Sequence, residues 1–103
     1  MASFVKVTKV DELPPGERIV IEVDEHFIAV FNIGGQFYAI ADLCTHDDGP
    51  LADGEVRGHI IECPRHSATF DLRNGAALTS PAVKPVPSYM VKVQGNDVLV
   101  NIE

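Results

Sequence analysis

Apolar residues along the chain come in short runs broken by polar and turn-forming positions. Ile19-Val20-Ile21-Glu22-Val23, Phe27-Ile28-Ala29-Val30-Phe31 and Phe37-Tyr38-Ala39-Ile40 are the clearest. Their length and their content of β-branched and aromatic residues predict strands, and the whole pattern predicts an all-β fold. Gly34-Gly35 predicts a tight hairpin between the second and third runs, because glycine tolerates the positive φ such turns need. Gly95-Asn96 predicts another near the C-terminus, pairing Tyr89 to Val93 with Val98 to Ile102. Pro14-Pro15-Gly16 interrupts the first segment, and every candidate helical period is broken by a glycine or proline.

The texture changes from Asp42 to about Val83, where glycine, proline and polar residues punctuate the pattern. A loop-rich lobe over 42–83 set into a β base is the expected organisation, with Gly49 and Gly75 allowing its turns. The 103 residues, without repeat, low-complexity tract or linker, make one domain spanning 1–103. A chain of this size buries roughly two-thirds of its unfolded surface, which leaves room for one core and one site but not for a small-molecule substrate pocket.

The formal charge of −7 argues against nucleic acid, which needs a basic face, and favours basic protein partners. The start, Met1-Ala2-Ser3-Phe4-Val5-Lys6, lacks a basic stretch followed by an apolar run, and no apolar run is long enough to span a bilayer. A soluble, cytoplasmic protein with no membrane association is expected, in a compartment where thiols stay reduced.

All the metal-ligand chemistry falls inside the 42–83 lobe. Cys44-Thr45-His46 and Cys63-Pro64-Arg65-His66 place both cysteines and two of the four histidines in matched pairs. A disulfide between the cysteines is one reading, but a histidine at ligand spacing beside each makes a metal site the better one. Two thiolates and two imidazoles suit a [2Fe-2S] cluster in which histidines replace two cysteines on one iron. They also make a tetrahedral zinc set, although zinc modules usually pair cysteine with cysteine and histidine with histidine. His26, beside Asp24-Glu25, and His59, beside Gly58, have no partner at ligand spacing and read as turn or strand-end residues. Phe4, Phe27, Phe31, Phe37, Tyr38 and Phe70 read as core and cluster packing.

The two ligand segments resemble the Rieske motif, and nearly the whole chain is similar to small Rieske-type ferredoxins. The resemblance implies a fold of stacked antiparallel sheets with the cluster lobe inserted into a β base, and one [2Fe-2S] cluster. It assigns Cys44 and Cys63 to the buried ferric iron, and His46 and His66 to the outer iron, where they would be the gateway for electrons. It also makes Ser80-Pro81-Ala82 a third loop covering the cluster. An imidazole bound through one nitrogen keeps a second that can titrate, so reduction would couple to proton uptake at high pH.

Departures from the respiratory branch of that family are informative. The positions of its extra disulfide are held here by Gly49 and Arg65, and its cluster-facing hydroxyl positions by Ala68 and Phe70. Ser67 and Thr69 are nearby hydroxyls in the wrong register. Fewer donors to the cluster imply a potential near the low end of the Rieske range. Arg65 faces a loop carrying Asp47 and Asp48, so an ion pair could link the loops; a solvated charge is the alternative. Pro50, Leu51, Pro64, Pro81 and Ala82 would offer a small apolar docking patch ringed by Asp47, Asp48, Asp53 and Glu55.

Two spare histidines do not complete a two-histidine, one-carboxylate iron site, which argues for a carrier and against an enzyme. The resemblance implies a one-electron carrier between a flavin-dependent reductase and a terminal ring-hydroxylating oxygenase. The small Rieske-like subunit of an assimilatory nitrite reductase is a second reading, weakened by the complete ligand set. A zinc-stabilised binding module is a third.

Overall fold

The computed structural model describes residues 3–43, 51–64, 68–79 and 84–102. They form ten strands: β1 (Phe4–Lys9), β2 (Arg18–Val23), β3 (His26–Ile33), β4 (Gln36–Ala41), β5 (Glu55–Arg57), β6 (Ile60–Glu62), β7 (Thr69–Asp71), β8 (Ser88–Tyr89), β9 (Val91–Gln94) and β10 (Asp97–Asn101). These make three antiparallel sheets, ordered β1-β10-β9, β2-β3-β4-β8 and β5-β6-β7. The one helical piece among the described residues is a 3-10 turn over Val10–Glu12. The all-β expectation therefore holds.

β3 is apolar from Ile28 to Phe31 because both of its faces are covered there. Ile28 and Val30 join Ala39, Leu13 and Val100 in a core shared with the β1-β10-β9 sheet. Ala29 and Phe31 join Ile40, Ile61, Phe70 and Leu72 in a second core shared with β5-β6-β7. The β2-β3-β4-β8 sheet is thus the central layer. Burying a side chain such as Phe31 stabilises the fold by roughly 1.5–3 kcal/mol.

Turn chemistry fixes the register of that layer. Gly34 and Gly35 have φ of 62° and 95°, the mirror-image turn whose twist matches the strands, so Ile33 faces Gln36. Asn32, 3% exposed, locks it: its Oδ1 accepts the Gly35 N–H at 2.8 Å and its Nδ2 donates to the Leu13 carbonyl at 2.8 Å. Asp24 and Glu25 turn β2 into β3 with φ of 49° and 69° and no glycine.

Four expectations need correction. The last hairpin keeps the expected pairing of Val93 with Val98 but is shorter, because Tyr89 leaves it to pair with Ala39 on the edge of the central sheet. The chain changes sheets at Met90, whose carbonyl accepts the Asn101 N–H at 2.9 Å, and the Ile102 N–H turns to Ser3 instead. The lobe contains a sheet of its own, built of strands of three residues each, too short for alternation to reveal. Phe27 is not core: it is 56% exposed, paired with Glu22 at the second step from the turn and outside both cores. Phe4 is only half-buried, with the Lys92 ammonium 4.2 Å from its ring centre. Phe31 and Phe70 are buried, and Phe37 and Tyr38 pack against the cores, as expected.

Gly75 turns the chain as expected, with φ of 78°. A Cβ there would come within 2.0 Å of the Val86 carbonyl oxygen, so the position also needs glycine for close approach. Gly49 lies outside the described residues.

Candidate metal centre

Of the four expected ligands, Cys63 falls within the described residues; Cys44, His46 and His66 lie outside them, as do Asp47, Asp48, Pro50, Arg65, Ser67 and Ser80-Pro81-Ala82. Cys63 follows β6, is fully buried and forms no disulfide. It packs within the lobe-facing core with Leu51, Ala52, Ala68 and Phe70. Its N–H donates to the Ala68 carbonyl at 2.7 Å, closing the base of the segment that carries His66. A free buried thiol at the mouth of a closed loop suits a thiolate ligand, so the described part of the donor set fits an iron–sulfur group.

The segment carrying Cys44 and His46 is closed differently. Asp42 follows β4, and its Oδ1 accepts the N–H groups of Leu51 and Ala52 at 2.8 and 2.7 Å. One carboxylate oxygen thus joins the residue before the loop to the two residues after it. From β2, Arg18 lies over the Phe31 ring at 5.4 Å and donates through Nη1 to the carbonyls of Ala52, at 2.8 Å, and Gly54. The turn is completed by the Gly54 N–H donating to the Leu51 carbonyl at 3.0 Å. A Cβ on Gly54 would lie 1.9 Å from the Glu62 carbonyl oxygen, so the turn sits directly on β6.

The third segment is held at both ends. The hydroxyls of Thr69 and Thr79 are 2.9 Å apart, and the Thr69 N–H donates to Thr79 Oγ1 at 3.1 Å. Beyond residues 80–83, the Val86 N–H donates to the Gly75 carbonyl at 2.8 Å. Thr69 therefore spends its hydroxyl on Thr79, and its neighbours Ala68 and Phe70 are buried without any.

Asp71, 7% exposed, anchors the outer end of the lobe. Arg73 donates to it from its backbone N–H and Nε to Oδ1, at 2.8 and 3.0 Å, and from Nη2 to Oδ2 at 2.8 Å. The Arg73 hydrogen bonds hold the Asp71 carboxyl below its ordinary range against the opposing effect of burial. His59 sits in the β5–β6 turn with its ring edge-on to Tyr38, centres 5.4 Å apart, and His26 opens β3, exposed; both match the turn and strand-end readings.

The expected docking patch is corrected in part. Leu51 is fully buried and belongs to the core, while Pro64 and Asp53 are exposed. Glu55 is paired with Arg57, which also donates to Glu62 at 2.8 Å. A cleft of about 500 Å³, lined by His26, Phe27, Leu43, Pro87 and Tyr89 among others, lies where Asp42 leaves β4, and burial pushes the Tyr89 phenol up.

Arg18, Asp42 and the Thr69–Thr79 pair are the residues that sequence reading missed. Asp42 left a trace, a charged residue ending the β4 run two positions before Cys44. Arg18 left none, because its partners lie 34 and 36 residues away.

Comparison with known proteins places this architecture. Residues 3–90 match the family model of the Rieske [2Fe-2S] domain. The chain is 37% identical to the biphenyl dioxygenase ferredoxin subunit of Pseudomonas sp. (strain KKS102), over 96% of its length and 92% of that protein. It superposes with a TM-score of 0.90 on the ferredoxin of carbazole 1,9a-dioxygenase from Nocardioides aromaticivorans IC177, at 38% identity, covering 95% of this chain and 96% of that one. It matches equally well, at 34% identity and a TM-score of 0.90, a chain in a complex of reduced oxygenase and oxidized ferredoxin in carbazole 1,9a-dioxygenase, over 97% of this chain and 94% of that one. On these grounds the chain belongs to the Rieske [2Fe-2S] domain family.

Proposed function

We propose that this protein is a one-electron carrier, the ferredoxin component of a multicomponent ring-hydroxylating oxygenase, and not itself an enzyme. The observation that carries the reading is the buried, unpaired Cys63 thiol at the mouth of a closed loop in a chain that matches a Rieske domain over residues 3–90. Cys44, His46, Cys63 and His66 hold one [2Fe-2S] cluster, within a single domain over 1–103 whose cluster lobe spans about 42–83. When bound, the cluster supplies a one-electron couple that imidazole ligation raises from about −400 mV into the range of roughly −150 to +300 mV.

The protein's own residues set the rest. Ala68 and Phe70 offer no hydroxyl, and that of Thr69 is engaged by Thr79, which supports a potential at the low end of this range. Electrons arrive from a flavin-dependent reductase and leave for the terminal oxygenase through His46 and His66. The charge of −7 steers encounter with basic partner surfaces, and exposed Pro64 and Asp53 flank the docking region. Such an interface is weak and transient. No helix among the described residues is long and apolar enough to cross a membrane. Thiols that must stay reduced to bind iron suit a cytoplasmic carrier.

Reconstitution tests the reading. The chain is mixed with the reductase and terminal oxygenase of an aromatic-ring dioxygenase system, and product is followed. Product should form only when the chain is present, and the Cys63→Ser variant should purify colourless and support none. Reduction of the chain without oxygenase turnover would reject this function.

A further inference from the structure

We infer that Asp42 and Arg18 together are positioning residues for the first ligand segment: a carboxylate and a guanidinium that clamp the turn at 51–54 and so fix the two flanks, Asp42 and Leu51, of the stretch bearing Cys44 and His46. The inference goes beyond the carrier reading and rests on it for the identity of the ligands.

The argument begins with where the backbone groups of that turn go. Buried backbone N–H and C=O groups need partners, and in this lobe strands of three residues supply few. The N–H groups of Leu51 and Ala52 go to Asp42, and the carbonyls of Ala52 and Gly54 go to Arg18. Both side chains come from strands or strand ends of the central sheet, so these polar groups of the turn are referenced to the rigid base, while its packing is against the lobe. The carboxylate bridges nine positions of sequence, from 42 to 51, and the segment so enclosed contains Cys44 and His46. Among the described residues no other hydrogen bond joins 41–43 to 51–54.

Charge makes the clamp stronger than a neutral turn. Hydrogen bonds to a carboxylate or from a guanidinium are roughly twice as strong as neutral ones. Arg18 is further held by the face of Phe31, itself fully buried, and Gly54 leaves no room between the turn and Glu62. Leu51, the first residue after the loop, is fully buried, so the loop's end cannot shift without opening the core. A ligand loop fixed at both ends loses less conformational entropy on binding metal and rearranges less when the metal changes charge.

The test compares the wild-type holoprotein with Asp42→Ala, Asp42→Asn, Arg18→Ala and, as a control, Asn32→Ala, which breaks side-chain hydrogen bonds at the β3–β4 turn, away from Asp42, and none made to 51–54. Loss of visible absorption in EDTA, thermal melting, and hydrogen exchange of peptides covering 51–54 are measured together. Asp42→Ala should lose its absorption roughly ten-fold faster than wild type, and Arg18→Ala several-fold faster. Asp42→Asn, whose amide oxygen still accepts both N–H groups, should restore most of the difference. Exchange at 51–54 should rise in Asp42→Ala and not in Asn32→Ala, although Asn32→Ala melts lower. The inference is overturned if Asp42→Ala loses absorption at the wild-type rate. It is equally overturned if Asp42→Ala and Asn32→Ala accelerate loss in proportion to their falls in melting temperature. If Cys44→Ser assembles the same cluster as wild type, the ligand reading fails instead, and exchange at 51–54 still decides the clamp.

Discussion

The base and the lobe of this molecule are held together by different means. In the base, β1 to β4 are six to eight residues long, β2, β3 and β4 pair in full ladders, and β3 buries both faces from Ile28 to Phe31. In the lobe, strands of three residues carry loops whose ends are tied by individual side chains: Asp42, Arg18, Thr79 and the Asp71–Arg73 pair. Cooperative ladders and apolar burial make a platform that tolerates the loss of any one bond. Tying loops one polar atom at a time gives a lobe whose geometry depends on a few identifiable groups, as a metal site requires.

Core truncation should expose the contrast most sharply. Phe31→Ala removes a ring at the seam between base and lobe and should cost about 3–5 kcal/mol of global stability by denaturant melting. Phe70→Ala, at similar burial, should raise hydrogen exchange in 55–72 well before it does so in β2–β4; equal rises in both would dissolve the distinction. Asp71→Asn should lower the melting temperature at neutral pH by on the order of 5 °C. Because folding depresses the Asp71 carboxyl, its contribution is present above the ordinary carboxylate value and lost as pH falls through the folded one. The gap between wild type and Asp71→Asn should therefore narrow below about pH 4. Thr79→Val should cost about 2 to 4 °C and loosen exchange at 68–70 only. Arg57→Ala, whose partners Glu55 and Glu62 sit on the exposed side of the lobe sheet, should leave melting unchanged.

The same contrast explains what the sequence made legible. Strands β2, β3 and β4 and the Gly34-Gly35 turn could be read directly, because long alternation and paired glycines are local signals. The Cys-Thr-His and Cys-Pro-Arg-His segments carry a local signal of the same kind, and the proposed ligand assignment rests on it. The β5-β6-β7 sheet was not, since three residues cannot display a period, nor was the sheet change at Met90, which depends on β4 offering Tyr89 a free edge. Leu51 and Phe27 were misread for one reason: exposure is decided by what lands on a residue from elsewhere in the chain. Arg18 shows the limit, since nothing near it marks the turn it holds.

The central claim is most directly tested by electron paramagnetic resonance of the protein reduced with dithionite, with iron, sulfide and zinc assayed on the same sample. A histidine-ligated [2Fe-2S] cluster predicts two irons and two sulfides per chain and a rhombic signal with an average g below that of all-cysteine ferredoxins, titrating with a potential below zero. A colourless protein holding one zinc and giving no signal would contradict the account.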